Sequence, residues 1–139
     1  MFANSKLNKA ADNIRILAAA MVEKAKSGHP GGAMGGADFI NLLYSEFIKF
    51  DPENPAYPFR DRFFLDPGHM SPMLYSVLML SGFYTMEDLK NFRQWGSITP
   101  GHPEVDVFFN IRFGLFQSLS FSHSALCKQN RAQFCRLSI

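Results

Sequence analysis

Cysteine is scarce in this chain. Its 2 cysteines, Cys127 and Cys135, lie near the end, and no second pair completes a zinc motif. They read as free thiols. Long apolar runs are missing too: no stretch reaches the ~18 residues that a membrane-spanning helix needs. The opening Met1-Phe2-Ala3-Asn4-Ser5-Lys6 lacks the apolar core of a secretion signal. A cytoplasmic protein without membrane contact is expected. Acidic residues are absent from one region only. Residues 108–139 hold none of the 12 acids, yet they carry Arg112, Lys128, Arg131 and Arg136, with six of the 15 phenylalanines. So abrupt a shift in composition marks a boundary near residue 107. The four basic side chains form no stripe and follow no nucleic-acid-binding module, so no nucleic-acid partner is expected. No internal repeat is visible.

What the chain does have is histidine set among glycine and proline. The segments are Gly28-His29-Pro30-Gly31-Gly32, Asp66-Pro67-Gly68-His69 and Gly101-His102-Pro103-Glu104. Glycine lets the backbone turn or approach a ligand closely, and proline fixes the next φ. Each imidazole is thus held on a stiff loop. A neutral imidazole both donates and accepts a hydrogen bond, as a hydroxylated ligand requires. Each segment also has a plainer reading: a glycine-rich helix–helix turn for His29, a loop imidazole bonded to a carbonyl for His69, a surface loop for His102. Separations of 40 and 33 residues match no compact zinc pattern, so no metal site is assigned to the three.

Around these loops the periodicity is mostly helical. Leu7, Ala10, Ala11, Ile14, Leu17, Ala18, Met21, Val22 and Ala25 recur at steps of three and four. That spacing predicts a helix from Lys6 to Ser27, N-capped by Ser5 and stopped by Gly28. A second helix is expected from within Ala33–Ala37 to Ile48. Phe39, Ile40, Leu42, Leu43 and Phe47 surround it with apolar groups, which implies burial on several sides. Three prolines between Asp51 and Pro58 dictate an extended connection. Arg62-Phe63-Phe64-Leu65-Asp66, ended by Pro67-Gly68, reads as one strand of a buried parallel sheet. Ser71 is the expected cap of a third helix, with Pro72 at its first turn and Gly82 at its end. Thr85-Met86-Glu87-Asp88 has the form of a capping box opening a short helix to Phe92.

The expected class is therefore α/β: mostly helical, with one strand whose neighbours lie elsewhere. His69 would follow the carboxyl end of that strand, where open α/β sheets bind ligands. A phosphate near Gly68, His69 and Ser71 would face a helix start.

Several segments in order resemble the N-terminal, diphosphate-binding region of transketolases. They are Ile14-Arg15, Ser27-Gly28-His29-Pro30-Gly31, Gly35 with Ala37-Asp38, and Asp61-Arg62-Phe63. Gly68-His69 with Leu74-Tyr75, Phe92-Arg93 and Gly101-His102-Pro103-Glu104 complete the set. The likeness runs from about Leu7 to Val107. It implies thiamine diphosphate with Mg²⁺ or Ca²⁺, and transfer of a two-carbon ketol unit from a ketose phosphate to an aldose phosphate. On matching positions His29 and His102 would contact substrate oxygens and assist proton transfer. His69 and Gly68 would lie beside the cofactor, near its diphosphate end. Asp66-Pro67 departs from the small polar residues that many relatives carry there.

After Val107 the chain reads Phe108-Phe109-Asn110-Ile111-Arg112-Phe113. The glycine-rich segment, the Gly-Asp-Gly metal motif and the pyrimidine-binding domain of the family do not follow. The expectation is a partial diphosphate-binding domain at 1–107 and a non-family tail at 108–139, the product of a shifted reading frame or an unstructured extension. Such a chain would be inactive alone and would not retain its cofactor. The alternatives are an enzyme completed in trans and a non-catalytic helical interaction protein; the partner expected is a second copy in a homodimer or a complementing C-terminal chain.

Overall fold

The computed structural model describes residues 5–103. Cys127, Cys135 and the whole 108–139 tail lie outside the described residues, as do the expectations attached to them. The order of elements is helix α1 (Ser5–Ala25), α2 (Pro30–Gly35), α3 (Ala37–Leu42) running into a π-helical turn (Leu43–Phe47), a 3₁₀ turn (Gly68–Met70), α4 (Ser71–Leu80) and α5 (Met86–Lys90).

α1 follows its periodicity closely. Ala10, Ala11, Ile14, Ala18 and Met21 form its buried face, and Ile14 and Ala18 are completely covered. The helix is described from Ser5 onward. It ends two residues sooner than expected, because Lys26 takes the left-handed conformation at φ +50°. Its Asp12 side carries Arg15, which pairs with Asp12 at 2.8 Å and also with Asp38 of α3. Exposed pairs of this kind contribute little, ~0–1 kcal/mol. Burial of the Ile14 side chain is worth more, roughly 1.5–3 kcal/mol.

The second expected helix starts earlier, at Pro30, and is broken at Gly36 (φ −83°, ψ 0°). Hydrogen bonds still cross the break, from Gly36 N to Gly32 O and from Ile40 N to Gly36 O, both 3.0 Å. Burial on several sides is not what the structure shows. Ile40 is covered, while Phe39, Leu42 and Phe47 are 60%, 47% and 65% exposed. The apolar ring around this helix therefore leaves one side in solvent. Asn41 anchors the covered side, donating from Nδ2 to the Leu7 carbonyl at 2.9 Å.

The 51–60 connection is a chain of turns. Asn54, Tyr57 and Arg60 each donate a backbone N–H to the carbonyl three residues back. The expected strand at Arg62–Asp66 is not formed, and no strand occurs among the described residues. The side chains alternate as in an extended segment: Phe63 and Leu65 are half-buried and Phe64 is exposed. A strand also needs a paired backbone neighbour, and among the described residues these have none. Just before them, Asp61 N donates to Lys49 O and Lys49 N donates to Asp61 Oδ2, both at 2.9 Å.

α4 is the centre of the packing, touching α1, α2, α3 and α5. Of its ten residues only Met79 is not buried. The helix is thus buried all round. α5 opens with the expected capping box: Thr85 Oγ1 accepts from Asp88 N, and Asp88 Oδ2 accepts from Thr85 N. A box of this type is worth ~1 kcal/mol.

Tyr44 closes one edge of the core, with its ring 5.7 Å from Phe50 and 6.1 Å from Phe63. Burial, with Tyr84 adding, pushes its phenol well above the usual value. Below pH ~10 both folded and unfolded chains keep this proton, so its contribution is intact. Above that the unfolded chain ionises while the folded one does not, and stability falls. Tyr44→Phe is expected to flatten this alkaline fall in melting temperature. Parallel melts across pH ~8 to ~11 measure it, and identical slopes for both proteins would contradict the assignment.

Candidate functional site

The three glycine-histidine loops meet at one place. His29 stands between α1 and α2 in an extended conformation (φ −123°, ψ 101°), as a residue before proline prefers. His69 is the middle residue of the 3₁₀ turn leading into α4. Their ring centroids are 5.0 Å apart at a tilt of 56°. His102 comes from the far end of the described chain and packs its ring on Gly68. A Cβ built on Gly68 would sit 3.3 Å from both Cγ and Nδ1 of that ring. Gly68 is therefore the seat of His102, and a side chain there would push the imidazole away. His29 and His102 are exposed and His69 is half-buried. The rings make no hydrogen bond to a described residue, which leaves their nitrogens available to a ligand.

The argument from a strand's carboxyl end does not apply, since His69 follows no strand. Ser71 does not serve as a cap or as a phosphate contact either. It is fully buried, and its hydroxyl donates to the Gly101 carbonyl at 2.6 Å. The N-cap position falls to Met70.

Ser71 belongs instead to a group of residues that hold the His102 loop. Tyr75 Oη donates to the Pro100 carbonyl at 2.8 Å. Thr99, itself buried, donates from Oγ1 to the Asp88 carbonyl at 2.8 Å, and its own carbonyl accepts from Arg93 N at 3.0 Å. Arg93 Nη1 donates to Ser27 Oγ at 2.8 Å, beside Gly28-His29. Sequence reasoning assigned none of these roles. Tyr75 entered only as part of the family likeness, and Ser71 as a cap. The polar ends of both are the signal: a hydroxyl inside a fully buried helix needs a partner.

The imidazoles of the cluster can donate and accept hydrogen bonds, which fits a hydroxylated small molecule. Metal binding is another matter. Among the described residues no group of three or more His, Cys, Asp or Glu side chains could hold a metal ion. Among them, too, no helix is long and apolar enough to cross a membrane.

Comparison with known proteins identifies the family. Residues 6–114 match the family described as "Transketolase, thiamine diphosphate binding domain". The chain is 52% identical over 103 residues to the chloroplastic transketolase-1 of Arabidopsis thaliana, covering 73% of this chain and 14% of that protein. Among solved structures it is similar to the transketolase of Leishmania mexicana, with a TM-score of 0.72 and 44% identity, over 76% of this chain and 16% of that one. It is similar also to a Pichia stipitis transketolase in complex with sedoheptulose-7-phosphate, with a TM-score of 0.70 and 46% identity, over 73% and 15% of the two chains. The chain belongs to the transketolase family, through its thiamine-diphosphate-binding domain. It spans about one seventh of the Arabidopsis relative's length.

Proposed function

We propose that this chain supplies the imidazole-bearing wall of a transketolase site, acting on ketose and aldose phosphates. His29 and His102 hold substrate hydroxyls and carry protons to and from them. His69 and Gly68 lie against the diphosphate end of the cofactor. The observation that carries this reading is the convergence of His29, His69 and His102 from three separate loops. When bound, thiamine diphosphate supplies the electron sink for cleaving the sugar's C2–C3 bond. The chain's own work is to orient the sugar and to place imidazoles where a proton must move.

The metal ion, Mg²⁺ or Ca²⁺, ties the diphosphate to the protein in this reading, and the described residues offer it no ligand set. Those ligands, and the groups around the aminopyrimidine, come from a complementing chain. Exposed apolar side chains favour such a partner: Phe39, Phe47 and Phe64 are each at least half exposed.

Two measurements test the proposal. Calorimetry of the 139-residue chain with thiamine diphosphate and Mg²⁺ is expected to show no saturation at micromolar concentrations. A clear micromolar isotherm would overturn the need for a partner. Mixing the chain with the remaining part of a transketolase is expected to give two-carbon transfer from xylulose-5-phosphate. His29→Ala or His102→Ala should cut that activity by about 10²–10⁴-fold. Full activity in both variants would remove the histidines from the reaction.

A further inference from the structure

One side chain touches two of the three histidine loops. Arg93 sits in the turn after α5 in the left-handed region, at φ +60°. A non-glycine residue rarely adopts that conformation without something to hold it. Here its own N–H is fixed to the Thr99 carbonyl at 3.0 Å. Its Nη1 reaches Ser27 Oγ at 2.8 Å, in the residue before Gly28-His29. The rest of the guanidinium lies against Gly101, the residue before His102. A Cβ on Gly101 would fall 2.7 Å from Nε, 2.9 Å from Cζ and 3.0 Å from Nη2. The cation is also 5.6 Å from the centroid of Phe92, and the Phe92 ring edge lies 3.5 Å from where a Gly28 Cβ would be. Nε is buried and has no hydrogen-bond partner among the described residues.

We infer that Arg93 is a positioning residue that joins the His29 loop to the His102 loop, so that the two imidazoles keep one fixed spacing. A planar guanidinium suits this task. It offers a directed N–H to Ser27 and a flat face to the glycine, neither of which an ammonium can do together. The missing side chain at position 101 is the space the guanidinium fills. Ser71 and Tyr75 hold the same loop from the side of α4. Arg93 alone among these ties it to the segment that carries His29. Its consequence for catalysis rests on the transketolase reading above. The coupling of the loops does not.

The test reads the imidazoles directly, in the full 139-residue chain without cofactor or sugar. Ring signals of His29, His69 and His102 are followed by heteronuclear magnetic resonance, with the methyl groups of Ala10 and Ala18 as reporters of the core. Ser27→Ala removes one exposed oxygen and is expected to leave the fold intact. It should displace the His102 signals as well as those of His29, with the Ala10 and Ala18 methyls unmoved. Arg93→Met should displace both rings, and adding Ser27→Ala to it should produce no further shift in either. Arg93→Lys should restore the His29 signals but not those of His102. If Arg93→Met fails to fold, Ser27→Ala and Arg93→Lys decide the matter. Unmoved His102 signals in Ser27→Ala would overturn the coupling, as would additive shifts in the double variant. Neither result bears on cofactor binding, so failure here and failure of the transketolase reading are separately visible.

Discussion

Tyr75→Ala is expected to cost roughly 3–5 kcal/mol in urea unfolding, the range for deleting a large aromatic from a packed core. A domain of this size has only about 5–15 kcal/mol of stability. The variant should therefore be marginal or unfolded at physiological temperature. The reason lies in where the ring sits. Tyr75 is 1% exposed at the middle of α4, with Tyr84 5.9 Å and Phe92 6.1 Å away between centroids. Helices α1, α2, α3 and α5 surround the same segment, so no one neighbour can shift inward to fill the hole. Tyr75→Phe separates packing from hydrogen bonding. It keeps the ring and loses the bond to the Pro100 carbonyl, at a cost of about 1–3 kcal/mol for the acceptor left unpaired. The fold should survive, and the change should appear in the loop that bears His102. Equal destabilisation by Ala and Phe would mean that the hydroxyl, not the ring, carries the site.

α1 was legible because its apolar residues recur at a helical period, and α5 because its capping box is local in sequence; each helix ends two residues sooner than expected, at Ala25 and Lys90. Breaks within helices were not legible. Gly36 interrupts α2–α3 through a backbone angle that no hydrophobic pattern reports, and the π turn at Leu43–Phe47 widens a helix whose side-chain spacing is ordinary. The segment Arg62–Asp66 was misread for a related reason. Its side chains alternate as a strand's would, but strandedness belongs to a pair of chains, and a pattern in one of them cannot reveal whether the other is present.

The candidate site divided the same way. Gly28, Gly68, Gly101 and the prolines beside His29 and His102 announced stiff loops, and the loops do carry imidazoles into one cluster. What positions them was hidden. Ser71, Tyr75, Thr99 and Arg93 act through contacts to residues 30, 25, 11 and 66 positions away along the chain. Local spacing carries no trace of such contacts. Only the buried hydroxyls hinted that something was there to be bonded.

The same substitution at two nearby glycines is expected to act in opposite directions. Gly28 has φ +136°, a conformation that costs other residues about 1–3 kcal/mol. A Cβ there would also lie 3.0 Å from Val22 Cγ2, tighter than an ordinary contact, with the Phe92 ring behind it at 3.5 Å. Gly28→Ala should therefore lower stability by about that strain. Gly31 is different. It lies in α2, and nothing is found within 4 Å of its Cβ position. Gly31→Ala should raise stability by about 0.5–1 kcal/mol, since alanine suits a helix better and restricts the unfolded chain. Urea melts of the two variants against the parent chain measure both signs. The strain at Gly28 has a second effect, because the peptide it distorts leads straight into His29. Relief of the strain moves that residue first, since Pro30 fixes the backbone beyond it. The contact between the His29 and His69 rings should weaken in Gly28→Ala and stay intact in Gly31→Ala. Should Gly28→Ala prove as stable as the parent with the ring contact preserved, the left-handed turn would not be what aims His29.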